Sequence, residues 1–110
     1  MRIRAVVLAG IIGCAFGTEA VANDTGYATS THPVRREGGR LCIVGHTHGG
    51  SGGGGTKAVA LIGAINAFVT TTNAEYGSDW AKWAKAASKR VTYTKAGDTW
   101  MANAEARPCR

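Results

Sequence analysis

The chain has 110 residues, 16 of them glycine, and a formal net charge of +6 at neutral pH. That length excludes a multidomain architecture and allows one small domain, whose modest core gains from a covalent staple. The basic balance directs attention to anionic partners such as lipid headgroups, acidic polysaccharide or extracellular nucleic acid.

The N-terminus reads as an export signal. Met1-Arg2-Ile3-Arg4 supplies a positive start, Ala5 to Phe16 an apolar run, and Ala20-Val21-Ala22 a small-x-small cleavage site. A spanning helix needs about 20 apolar residues, so this run is too short to be one. Residues 1–22 are therefore expected to be removed after Ala22, which takes away Arg2, Arg4 and Glu19 and lowers the net charge to +5. A second processing route stays open: Ile11-Ile12-Gly13-Cys14 has the form of a lipobox, and lipidation at Cys14 would anchor the protein to a membrane. Either route places the protein in the periplasm or outside the cell, where paired cysteines oxidise. Cys42 and Cys109 remain as an even pair, and a Cys42–Cys109 disulfide is predicted. A loop of that length is worth about 4 kcal/mol in the chain-entropy account.

Residues 23–39 are polar and without periodicity, and read as a flexible N-terminal arm. The domain proper is expected over residues 40–110. Arg40 to His46 reads as its first strand, with an apolar Leu41-Cys42-Ile43-Val44 run. Gly49 to Gly55, interrupted by Ser51, reads as a flexible connector. Thr56 can cap a helix over Ala58 to Val69, apolar at nearly every position and hence expected to be buried all round. Thr70-Thr71-Thr72-Asn73 weakens helical propensity, which predicts a break near 71–78.

Ser78 or Asp79 then caps a second predicted helix, Trp80 to Lys89, with Trp80, Ala84 and Ala87 on one face and Lys82, Lys85 and Lys89 on another. Val91 to Thr94 and Thr99 to Ala106 alternate as a half-buried hairpin around Lys95-Ala96-Gly97-Asp98, and Pro108 ends it. The disulfide orders these parts. If Cys42 and Cys109 lie on neighbouring antiparallel strands, the last strand sits in the middle. The expected fold is α+β: a β-α-α-β-β domain whose three-stranded antiparallel sheet, last strand central, packs on one long or broken helix.

His46-Thr47-His48 is the sharpest local motif, because side chains at i and i+2 share a face of extended chain and two imidazoles can hold Zn²⁺, Cu²⁺ or Ni²⁺. Two ligands alone make a weak site, and His32 is the one other histidine. The glycine run before Lys57 lacks the Gly-Lys-Ser/Thr order of a nucleotide P-loop, leaving a generic anion site at the helix N-terminus with Lys57. Lys82, Lys85, Lys89 and Arg90, with Lys95 nearby, form a candidate partner-binding surface for anionic envelope components. Trp80 and Trp83 read as core, and Glu75 and Asp79 as helix caps. No Gly-x-Ser-x-Gly or other nucleophile motif assembles, so the chain reads as non-catalytic, with no cofactor required.

Together, His46-x-His48, the Gly/Ser stretch, Lys57, the Ala-rich helix, Tyr76-Gly77-x-x-Trp80, Ala86-Ala87, Lys89, Trp100 and Arg107-Pro108-Cys109-Arg110 form an ordered series. In that order they resemble a group of small exported proteins of alphaproteobacteria, over roughly residues 40–110. The resemblance implies export and a similar fold, and no activity. Members commonly carry a further cysteine pair across the final hairpin, which this chain lacks near Tyr93 and Met101-Ala102. The sequence thus predicts a small exported protein with a binding or envelope-associated role through its basic surface. The alternatives are a weak metal-binding protein using His46 and His48, and a small hydrolase or enzyme inhibitor.

Overall fold

A computed structural model describes residues 23–110; the expected export segment, the predicted cleavage site after Ala22 and the candidate lipidation residue Cys14 lie outside the described residues. In chain order the elements are helix α1 (Tyr27–Thr31), strands β1 (Val34–Glu37), β2 (Arg40–Ile43) and β3 (His48–Gly54), and helix α2 (Lys57–Tyr76). A single 3₁₀ turn (Trp83–Lys85) and strands β4 (Ala87–Ala96) and β5 (Thr99–Arg107) follow. β1 and β2 form a two-stranded hairpin, and β3, β5 and β4 form an antiparallel sheet in that order. The fold is α+β as expected, with the last strand central and one long helix across the sheet.

The strand beside β5, however, is the glycine run and not residues 40–46. His48 lies opposite Ala106, Ser51 opposite Asn103 and Gly54 opposite Trp100. The reason lies in the face turned to α2. A Cβ on Gly50 would sit 2.6 Å from the Phe68 nitrogen, and one on Gly52 would sit 2.5 Å from the Ala60 carbonyl oxygen. These glycines let the helix backbone rest on the strand backbone, and Ala102 and Ala104 continue the same low surface across β5. What reads as a flexible connector is a packing interface.

The helix meets that surface with a ridge spaced by four: Ala60, Ala64, Phe68, Thr72 and Tyr76 are its buried residues. Thr56 caps it by accepting a hydrogen bond from the Val59 amide at 3.2 Å. It is not broken near residue 71. Thr72 is fully buried, and the packing of this turn overrides the weak propensity of the threonine run. Gly77, at φ +103°, ends it, with its amide bonded to the Asn73 carbonyl. Only one face is covered; Val59 and Ile62 on the opposite side are 53% and 59% exposed, so the all-round burial expected of this helix does not occur. No described helix is long and apolar enough to cross a membrane.

The predicted second helix is also absent. Residues 80–86 form turns, and Ala87 onward is already strand β4, paired to β5 from Ala87 opposite Arg107 to Ala96 opposite Thr99. Local three-residue turn bonds, from the Trp80, Ala81, Lys85 and Ala86 amides, satisfy this backbone up to the point where the strand begins. Ser88 at φ +55° marks the bulge between Ala87 and Arg90. The lysines expected on one helical face are consequently separated.

The segment 23–39, read as a flexible arm, is folded against the domain. Ala28 is buried with Ile43, Tyr76 and Trp80, and β1 pairs along the whole of β2. The Thr25 amide donates to the Tyr76 carbonyl at 2.9 Å. The predicted disulfide is present between Cys42 and Cys109, 67 residues apart. It lies within a short backbone bridge, in which the Ile43 amide donates to the Pro108 carbonyl at 3.0 Å and Leu41 exchanges bonds with Arg110. β2 therefore neighbours the tail beyond β5 and not β5 itself. Arg107 ties the hairpin to the sheet by donating to both Glu37 carboxylate oxygens, at 2.7 and 2.8 Å, and to the Ile43 carbonyl.

Two predictions follow from this packing. Gly52→Ala must push α2 off the sheet and is expected to cost about 1–3 kcal/mol, the usual range for overpacking, read from urea unfolding. Glu37 is held at about 2, chiefly by its bond to Arg107. A depressed carboxyl contributes stability that is full above its unfolded value and lost as pH falls through the folded one. The urea midpoint should thus fall between pH 5 and pH 2, and that fall should be shallower in Glu37→Gln.

Candidate functional site

The three histidines of the described chain come from two stretches, His32 from one and His46 and His48 from the other, and meet at one end of α2. His32 caps the C-terminus of α1. His46 lies in the turn after β2, just past Gly45 at φ +78°. His48 is the first residue of β3, on the same side of the strand as Gly50 and Gly52, and so points under the helix. From above, the last turns of α2 contribute Thr72, Glu75 and Tyr76, placed on one side by the i, i+3, i+4 spacing.

The rings close on one another. His32 stacks on His46 at 4.6 Å between centroids, His46 meets His48 edge-on at 5.2 Å, His48 stacks on Tyr76 at 4.7 Å, and Tyr76 meets His32 edge-on at 5.9 Å. The Tyr76 hydroxyl and His32 Nε2 are 3.0 Å apart. Burial and the neighbouring Glu75 push the Tyr76 phenol up to about 12, so it keeps its proton.

His48 is the centre of the group and is only 5% exposed. Its Nδ1 lies 2.8 Å from Thr72 Oγ1 and its Nε2 lies 2.8 Å from Glu75 Oε1. Burial pushes its pKa down, opposed in part by the Glu75 carboxylate and reinforced by His46 and His32. The imidazole is thus neutral around pH 7. The network assigns its proton: a carboxylate only accepts, so Nε2–H donates to Glu75 and Nδ1 accepts from the Thr72 hydroxyl.

Hydroxyl, imidazole and carboxylate in line have the order of an acyl-transfer triad, but Thr72 is fully buried beneath the helix, where no substrate carbonyl reaches it. A groove of about 510 Å³ beside β3 is lined by Gly50, Ser51, Thr71, Asn103 and Glu105 among others, and by none of the histidines. What the group does offer is metal-ligating atoms. One donor atom each of His46, His48 and Glu75 lie within 4.8 Å of one another, with Glu75 exposed at the rim. His32 stands beside this set, against His46.

The expected His46–His48 pair is therefore brought together, and the structure adds Glu75, which the sequence reading treated as a cap. Its signal was spacing: had α2 been continued through the threonines, Thr72, Glu75 and Tyr76 would have shared one helical side. The expected basic site is not assembled in the same way. Lys57 lies over the rings of Tyr93 and Trp100, at 5.3 and 4.8 Å, and Lys95 over Trp100 at 5.2 Å. The glycine run before Lys57 is itself a strand paired with β5. Lys82 and Lys85 line a small depression with Asp79 and Arg110. Lys89 lies over Trp83, and Arg90 stands on β4 opposite Glu105.

Compared with known proteins, the chain matches no family model, no curated protein and no solved structure.

Proposed function

We propose that this chain is an exported, non-catalytic binding protein whose ligand is a divalent late transition metal ion, Zn²⁺, Cu²⁺ or Ni²⁺, held by His46, His48 and Glu75. One observation carries the reading: two imidazoles and a carboxylate have a donor atom each within 4.8 Å of one another. That donor set suits these metals, and three protein ligands leave a position for water or a further ligand. The scaffold supports it too, since His48 and Glu75 sit on a strand and a helix locked by close packing. The Nε2 of His48 and the carboxylate of Glu75 now share a proton at 2.8 Å, and a metal ion would take that place.

Export rests on the N-terminal signal pattern, and the disulfide fits an oxidising compartment. The periplasm or the medium is the proposed location. An anionic envelope partner has less support, because Lys57 is on α2, Lys82 and Lys85 are at the 3₁₀ turn and Lys89 and Arg90 are on β4, and Lys57 and Lys89 lie over aromatic rings.

Calorimetric titration of the secreted, processed protein with Zn²⁺, Cu²⁺ and Ni²⁺ tests the proposal. One ion per chain is expected, with binding at least tenfold weaker in His46→Ala and in Glu75→Gln. At a free ion concentration a hundred times Kd, binding should add about 2.7 kcal/mol to the unfolding free energy. Equal affinity in the variants and the parent would sink the metal site.

A further inference from the structure

We infer that Thr72 is the positioning residue of this centre: its hydroxyl allows the buried His48 to change tautomer, so that one imidazole fits both the metal-free and the metal-bound state. The inference rests on the metal-binding reading and names how the site accommodates its ion.

His48 is only 5% exposed, and each of its ring nitrogens has a protein partner at 2.8 Å. A neutral imidazole has one N–H and one lone pair. Without metal, the Glu75 side must receive the N–H, so the lone pair is on Nδ1, toward Thr72. Nε2 is the nitrogen beside Glu75 and therefore the metal donor. To bind an ion it must present its lone pair, which moves the proton to Nδ1.

Rotation of the ring cannot achieve this. A half-turn would set carbon atoms against Thr72 and Glu75, and the ring is held between stacked Tyr76 at 4.7 Å and edge-on Phe68 at 6.5 Å. The proton itself has to move. One proton leaves Nε2 and one arrives at Nδ1, so the change of tautomer takes up and releases no net proton at His48.

Only a group that both donates and accepts can face Nδ1 through this change. Thr72 Oγ1 is the atom in that position, and the residue is fully buried. In the metal-free state its O–H donates to Nδ1. In the bound state its oxygen accepts from Nδ1–H, and its own hydrogen turns to the helix carbonyl one turn back, the ordinary acceptor of a helical threonine. A metal-ligating histidine generally needs such a partner for its second nitrogen, and losing it typically costs 10–100-fold in affinity.

The test combines ring ¹⁵N NMR with zinc titration of the secreted protein. His48 should carry its proton on Nε2 without metal and on Nδ1 with one equivalent of Zn²⁺. Thr72→Val keeps the side-chain shape and removes the hydroxyl; its Kd for Zn²⁺ should rise about 10–100-fold. Thr72→Ser should stay within about threefold of the parent, which separates hydrogen bonding from packing. The inference is overturned if metal-free His48 already carries Nδ1–H, or if Thr72→Val binds as tightly as the parent while His46→Ala does not. Should Thr72→Val fail to fold, the tautomer reversal in the parent decides alone. Absence of zinc binding by the parent would instead remove the metal reading, and the inference with it.

Discussion

Everything in this molecule depends on how closely α2 lies against β3 and β5. Gly50 and Gly52 put nothing between the two backbones, and Gly63 returns the favour from the helix, where a Cβ would come within 3.2 Å of the Gly52 Cα. Ala60, Ala64, Ala102 and Ala104 fill what remains. Along the helix the ridge then passes from alanine to Phe68, Thr72 and Tyr76, and at the His48 end rings pack against one another. A core this thin has little slack, because interiors are close-packed and backbone contacts cannot rotate away. Its rigidity is what aims Glu75 and Thr72 at the two nitrogens of one buried imidazole.

The rest of the chain wraps that wedge and is tied to it covalently. The Cys42–Cys109 bridge closes a 67-residue separation and joins the β1–β2 hairpin to the tail after β5. Arg107 adds a second tie through Glu37. Because the hairpin is fixed, the turn that follows β2 delivers His46 and His48 to the end of α2. The preceding segment packs its Ala28 into the same side of the molecule and sets His32 on His46. The histidine group is thus a meeting of three chain segments, and its integrity depends on the staple. In the proposed function an ion would tie two of these segments again, close in sequence to Cys42 through His46 and His48.

Several features were legible because they follow from local chemistry. Alternation of Val91 and Tyr93, and of Trp100, Ala102, Ala104 and Ala106, marks the hairpin, since period two separates the two faces of a strand. The even cysteine count marks the disulfide, but the central strand has the glycine run and not residues 40–46 as its second neighbour, so the bridge by itself does not order the sheet. The glycine run was misread because composition reports conformational freedom and not the neighbour that makes freedom unnecessary. Residues 80–89 carry helical spacing at Trp80, Ala84 and Ala87, but residues 80–86 close local turns and the strand paired with β5 begins at Ala87. The threonines of α2 have weak propensity in isolation, and burial of Thr72 outweighs it.

The sequence by itself determined the class of the fold, the disulfide and the pairing of His46 with His48 on one motif, because each is a property of spacing or of residue chemistry. Only the tertiary structure decided that the glycines are an interface and that the arm belongs to the domain. It alone decided that Glu75, Thr72 and His32 stand around the same two histidines. The contacts around the histidines join residues about 25 to 45 positions apart, which no local pattern encodes.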